Sequence, residues 1–197
     1  MSASRLTPLA VRLLALLAER DMHAYEMYQL LIKRAEDRQV KVRPGSLYHT
    51  VERLADHGLV QPVGVDREGN RPERTRYSLT EAGAQALQTW VVEMLRAPVN
   101  EYPRFPVALD EAHHLPREKV VACLGKYTDA LAAEIEEIVQ GVEQVNACGV
   151  PEAYWMSWSY LLEVKRTELD WIRRQVERIK NEELEWPKSP IQNLRRS

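Results

Sequence analysis

Over the first hundred residues the apolar positions sort into four helical stripes and one interruption. Ala10, Leu13, Leu14 and Leu17 fall on one helical face. Thr7-Pro8 stands in front of them: a threonine able to cap free N–H groups, and a proline whose missing N–H costs nothing at the first helical position. A second helix is predicted from about Ala24 to Ala35, with Met27, Tyr28 and Leu31 as its inner face. The polar, basic connection RAEDRQVKVRPG follows. A third helix starts at Ser46 or at the Pro44-Gly45 turn before it and stops at Gly58, placed to adopt a left-handed conformation. Its inward positions are Leu47, Val51, Leu54 and Ala55. His49 and Arg53 point the opposite way, flanked by Ser46 and Thr50.

The interruption comes next. LVQPVGV and TRYSL have strand character and enclose the polar turn DREGNRPER. They read as a β-hairpin whose tip carries Arg67, Arg71 and Arg74. Thr80 caps a fourth helix with Leu87, Trp90, Val91 and Met94 as its apolar body. PVNEYPRFP, with three prolines, marks a boundary, so residues 1–97 and 98–197 are expected to form separate domains. Beyond it a short helical piece, Val107 to His114, leads to Pro116. A long helix then runs to about Asn146, with Val121, Leu124, Leu131, Ile135, Ile138, Val142 and Val145 in a heptad stripe. The last helix repeats the pattern with Trp158, Leu162, Leu169, Ile172, Val176 and Ile179.

Composition narrows the class without naming it. At 197 residues, 45% hydrophobic and 28% charged, the chain suits one large or two small globular domains. The apolar start is interrupted by Arg12 and has helical spacing, so it reads as a core helix rather than a signal peptide. No run is long enough to span a membrane. The two cysteines, Cys123 and Cys148, make neither a disulfide framework nor a metal-ligand pair and fit a reducing cytoplasm. Net charge is −2, but residues 1–97 carry 14 Lys and Arg against 12 Asp and Glu, and the rest 13 against 17. Between Lys33 and Arg53 the basic excess sharpens into a local strip.

Three helices, a two-stranded hairpin and a basic tip describe a winged helix-turn-helix, so the fold class expected is mainly α with a two-stranded wing and an antiparallel helical C-terminal domain. The third helix has the diameter to enter a DNA major groove, its first residues reaching base edges. Arg53 suits guanine O6 and N7 together, His49 and Thr50 suit bases or the thymine methyl, and Ser46 suits a phosphate. The competing reading is a winged-helix module that binds protein instead. No phosphate loop, dinucleotide turn, nucleophile elbow or HExxH is present, so no enzyme and no cofactor is expected. No metal site is expected either. His113 and His114 are adjacent and should not share a helix face, although Asp110 and Glu111 lie near them.

MHAYEMYQLL, RPGSLYHTVERLADHGLV and NRPERTRYSLTEAGAQAL together resemble the PadR family of bacterial transcriptional regulators. The similarity lies in Met22, His23, Tyr25 and Glu26, in Pro44 to Tyr48, and in Tyr77, Leu79 and Thr80. It covers about the first 90 residues, and the second half is similar more loosely. Ala24 stands where the family often has Gly, and His49 where it often has Pro; the latter bears on which operator is read rather than on how. The resemblance implies a homodimeric repressor of operator DNA, usually released by a small molecule. The DNA-contacting set expected is Tyr25, Lys41, Arg43, Ser46, Tyr48, His49, Thr50, Arg53, Arg67, Arg71 and Arg74. The heptad stripes point to a dimer interface through Leu124, Leu131, Ile135, Ile138, Val142, Leu162, Leu169, Ile172 and Val176, the alternative being a hairpin within one chain whose two stripes bury each other. Trp90, Met94 and Trp158 are the candidates for the pocket of an aromatic or hydrophobic effector.

Overall fold

A computed structural model describes residues 6–66 and 74–187. The chain divides into two compact units, Met1–Glu101 and Tyr102–Ser197. The first contains α1 (Pro8–Glu19), β1 (Met22–His23), α2 (Ala24–Lys33), α3 (Pro44–Asp56), β2 (Val60–Asp66), β3 (Arg74–Leu79) and α4 (Glu81–Arg96). The second contains α5 (Arg104–Asp110), a 3-10 turn at Glu111–His114, α6 (Arg117–Ala147) and α7 (Met156–Lys180). No helix among the described residues is long and apolar enough to cross a membrane.

Helix ends fall where local chemistry puts them. Thr7 Oγ1 accepts from the Ala10 N–H at 3.3 Å, and Thr80 Oγ1 from the Gly83 N–H at 3.0 Å. Gly58, at φ +68°, ends α3 in a Schellman arrangement. The Gly58 N–H donates to Ala55 O at 2.9 Å, and the Leu59 N–H to Leu54 O at 2.9 Å. Leu54 and Leu59 are both buried, which completes the hydrophobic part of that stop.

The sheet holds three strands rather than the two expected, in the antiparallel order β1-β3-β2. β1 pairs Met22 with Tyr77 and His23 with Arg76. Two residues are too few for an alternating pattern, so periodicity does not reveal this strand, yet Met22 is fully buried. β2 carries a bulge between Pro62 and Gly64. Proline cannot donate to a ladder, and its position at the bulge of an outer strand keeps that cost low.

The wing is locked to the helices at its base. Thr80 Oγ1 donates to Gly58 O at 2.8 Å, and the Thr80 N–H to Leu59 O at 3.2 Å. Gly83 lies so close beneath that a Cβ there would meet Leu59 O at 2.0 Å and Leu79 Cδ1 at 2.7 Å. A core running from Leu13, Leu14 and Met27 through Leu47, Val51 and Leu54 fills the unit, with Trp90 packed partly buried against it.

In the second unit α6 and α7 pack on each other as a hairpin. Val120, Leu124, Ile172, Val176 and Ile179 form the core nearest its α5 end. Tyr127 Oη donates to Glu168 Oε1 at 2.7 Å, Lys165 Nζ pairs with Glu134 at 2.9 Å, and Arg117 with Glu182 at 2.8 Å. Phe105 stacks on Tyr127 with ring centroids 4.3 Å apart.

Within one chain this packing already covers much of the apolar surface of the heptad stripes. Leu124, Leu131, Ile138, Leu169, Ile172 and Val176 are buried within one chain, and Ile135, Val142 and Leu162 are half-buried. A heptad stripe states that a helix has an apolar face to cover; here the neighbouring helix of the same chain covers most of it.

Candidate nucleic-acid interface

α3 positions its outer face by burying the opposite one. Leu47, Val51 and Leu54 are held in the core, leaving Ser46, Tyr48 and His49 exposed. The His49 side chain is 78% exposed and lies 4.0 Å from Glu52. Thr50 does not belong with them. It is buried, and its Oγ1 donates to Ser46 O at 2.6 Å. At about 100° per residue Thr50 sits only about 40° from Leu54 around the helix, inside the apolar arc. Its role is to seat the helix, and it leaves the predicted DNA-facing set.

Arg53 lies at the border of the outer face. It is half-buried, and its Nε is enclosed with no hydrogen-bond partner.

The start of α3 differs from the starts of α1 and α4. Where those are capped by threonines, the α3 N-cap residue, Arg43, makes no side-chain cap. Ser46 Oγ donates to Arg43 O at 3.0 Å instead of accepting from the first turn. Gly45 has no atom within 4 Å of where its Cβ would stand, so internal packing does not explain its missing side chain. An exposed, bare helix N-terminus offers N–H groups and a positive dipole end to a phosphate. Toward its C-terminal end the same face carries the exposed acids Glu52 and Asp56. An anionic partner is therefore favoured at the first turns and repelled from the last.

The basic strip is thinner than its composition implies. Arg34 forks onto Glu19, with Nη2 to Oε2 at 2.8 Å, which holds the Glu19 carboxyl below its usual range. Arg20 is committed to Glu26, whose carboxyl is lowered for the same reason. Arg12 pairs with Glu36 at 3.4 Å, but burial outweighs that attraction and raises the Glu36 carboxyl. Lys41 and Arg43 stay exposed and form no ion pair among the described residues. Tyr25 is exposed on α2 and accepts from Gln29 Nε2 at 2.7 Å. Arg67 and Arg71 lie outside the described residues, and Arg74 begins β3 opposite Asp66. Of the pocket candidates, Trp90 and Met94 are half-buried on α4, and Trp158 is half-buried on α7 of the other unit.

A tri-helical core, a solvent-facing helix with an open N-terminus and a three-stranded sheet extended into a wing define the winged helix-turn-helix class. Residues 13–89 match the model of the transcriptional regulator PadR-like family. That is a family of transcriptional regulators, not of enzymes. No curated protein matches in sequence. Solved structures of similar fold include Bacillus subtilis PadR in complex with operator DNA, with a TM-score of 0.74 at 17% identity, covering 88% of this chain and 98% of that one. Bacillus subtilis PadR in complex with p-coumaric acid is similar with a TM-score of 0.68 at 16% identity, covering 89% and 98%. The PadR-like transcriptional regulator BC1756 from Bacillus cereus is similar with a TM-score of 0.65 at 12% identity, covering 88% and 99%. The likeness therefore extends in fold through the helical second unit, beyond the segment matched in sequence.

Proposed function

We propose that this chain is a sequence-specific operator-binding repressor that acts as a homodimer and is released by a small aromatic effector. The observation that carries DNA binding is the start of α3: uncapped, exposed, flanked by Lys41, Arg43, Ser46, Tyr48 and His49, and bordered by the unpaired Nε of Arg53. In this reading the first turn and Ser46 hold a phosphate, while Tyr48, His49 and Arg53 meet base edges. Tyr25 and the wing arginines Arg67, Arg71 and Arg74 add backbone contacts. The similarity in fold to an operator-bound PadR supports it.

Support for the dimer comes from a part of α7 outside its heptad stripe. Met156, Tyr160, Val164 and Trp171 are exposed, at 63%, 68%, 45% and 40%. Their spacing of four, four and seven places them within one narrow arc, away from the buried Leu169, Ile172 and Val176. A second copy covering this stripe would bring two recognition helices into one particle, as paired operator half-sites require. Effector release follows if a ligand fits one arrangement of the dimer better than the DNA-competent one. Trp90 and Met94 in the first unit and Trp158 in the second are separate candidate contacts for it, and p-coumaric acid in the Bacillus subtilis protein supplies the chemical class to try first. The reading places the protein in the cytoplasm, with the chromosome.

Titrating the chain into a labelled fragment of its own promoter, with fluorescence anisotropy as readout at several salt concentrations, tests the proposal. Tight binding that falls steeply with salt and weakens on adding phenolic acid is expected. Affinity indifferent to both sequence and salt would remove the operator reading.

A further inference from the structure

The 3-10 turn between α5 and α6 brings together three side chains that DNA binding does not use. Among the described residues, Glu111, His113 and His114 are the one group whose possible ligand atoms, one from each, all lie within 4.8 Å of one another. The two adjacent histidines are not splayed apart, as adjacency on a helix would suggest. Their rings lie 4.1 Å apart, centroid to centroid. The local backbone accounts for part of this. In a 3-10 helix residues three apart eclipse one another. Glu111 therefore stands in line with His114, and Oε2 approaches Nε2 at 3.1 Å.

A second observation concerns the orientation of His113. Its Nδ1 is 2.8 Å from Asp110 O. A carbonyl can only accept, so Nδ1 carries the proton and Nε2 of the neutral ring presents its lone pair. A hydrogen bond from the far ring nitrogen to a backbone carbonyl is the usual support of a metal-bound histidine, because it fixes tautomer and ring direction. The turn is anchored at both sides of the cluster. Leu109 and Ala112 pack on the core of Val120, Leu124, Ile172, Val176 and Ile179. The Leu115 N–H donates to Ala112 O at 3.0 Å, and Leu115 O accepts from the Trp186 indole at 2.9 Å.

We propose that Glu111, His113 and His114 form a surface site for a divalent transition-metal ion of the zinc, cobalt or nickel class. Two imidazoles and one carboxylate suit those ions better than magnesium or calcium, which prefer all-oxygen sets. Bond lengths of about 2.0–2.2 Å require ligand atoms about 3.3 Å apart in a tetrahedral set. The Glu111–His114 pair already has that spacing. The remaining closure is a side-chain rotation available to exposed Glu111 and His114 while Asp110 holds His113. Three protein ligands leave at least one position for water or for a donor from another molecule.

The test uses the full chain without a histidine tag, stripped with chelator and titrated with Co2+ while the visible ligand-field bands are recorded. Zn2+ is then competed against a chromophoric chelator. One ion per chain is expected, with affinity at least about tenfold weaker in Glu111→Gln and in His114→Ala. Binding is expected to be unchanged in a Cys123→Ser, Cys148→Ser double variant, since both thiols are exposed and could take the ion elsewhere. Circular dichroism of each variant checks that the fold is intact. No stoichiometric binding, binding equal in the Glu111 and His114 variants, or loss in the cysteine variant would each overturn the site, leaving a solvated His114–Glu111 ion pair. None of these outcomes bears on operator binding.

Discussion

α1 buries 7 of its 12 residues, whereas α7, twice as long, buries 4 of 25. The first unit wraps helices and a sheet around a core, so α1 is covered on several sides. The second is built on a hairpin of two long helices, and each helix of such a pair has one contact line and one open flank. Two neighbouring residues of α7 express the contrast. Ile172 is fully buried against α6, while Trp171 is 40% exposed. The first unit buries most of α1 in its own core, and the second leaves one apolar flank of α7 open.

The strongest way to break this comparison is to cut at Ile172 and Trp171 separately. Ile172→Ala should destabilise the hairpin by about 2–5 kcal/mol through lost burial and the cavity left behind. Trp171→Ser, combined with Val164→Asp, should leave the folded monomer nearly as stable but shift sedimentation toward monomer at micromolar concentration. If the double variant unfolds the hairpin while self-association survives, the open flank is not the seat of a second copy.

Within the first unit the corresponding weak point is Gly83, whose Cβ position is already occupied by the Leu59 carbonyl. Gly83→Ala forces backbone apart and should cost about 3 kcal/mol. Thermal unfolding with hydrogen exchange should show protection lost in α3, β2 and α4 while α6 and α7 are spared. Equal loss in both units would mean that they do not unfold as separate bodies.

A finer comparison sets Arg53 against Thr50, three positions apart on α3. Arg53→Ala should cost about 1–3 kcal/mol of operator affinity and relax selectivity at one base pair. Thr50→Val keeps the shape but removes the bond to Ser46 O, so it should lower stability by about 1 kcal/mol or less with little change in base preference. Anisotropy on operator variants, paired with thermal unfolding, separates the two roles. Reversal of that pattern would restore Thr50 to the DNA face.

What could be read from the chain alone follows the range of the interaction. Helix starts and stops rest on neighbours, so Thr7, Thr80 and Gly58 were legible, as was the inward face of α3 at Leu47, Val51 and Leu54. Thr50 was misplaced because a threonine looks polar in a pattern, although its hydroxyl can be satisfied by the preceding turn. The pairing of β1 with β3 joins residues more than fifty apart, and the commitment of Arg34 to Glu19 spans fifteen; neither leaves a periodic trace. The heptad stripes of α6 and α7 were legible as apolar faces, but periodicity carries no information on whether the covering helix belongs to the same chain. Likewise the approach of His113 to His114 depends on a 3-10 turn that polar residues at a helix end do not announce.

The smallest expected effect probes that hairpin from its polar side. Tyr127 donates to Glu168 across α6 and α7, and burial, then the hydrogen bond to the carboxylate, push its pKa up to about 12. An unperturbed tyrosine titrates near 10. Because the folded value lies above the unfolded one, the hydroxyl's contribution to stability is complete below about pH 10 and is lost as pH rises through about 12. Tyr127→Phe keeps the ring stacked on Phe105 and removes only the donor, so the cost near neutral pH should be about 1 kcal/mol, limited by partial exposure of the pair. Denaturant unfolding of both proteins from pH 7 upward should show a constant difference to about pH 9 that narrows beyond pH 10. A difference that stays constant throughout that range would mean the hydroxyl does not hold α7 to α6, and would leave the apolar contact line as the hairpin's sole tie at that level.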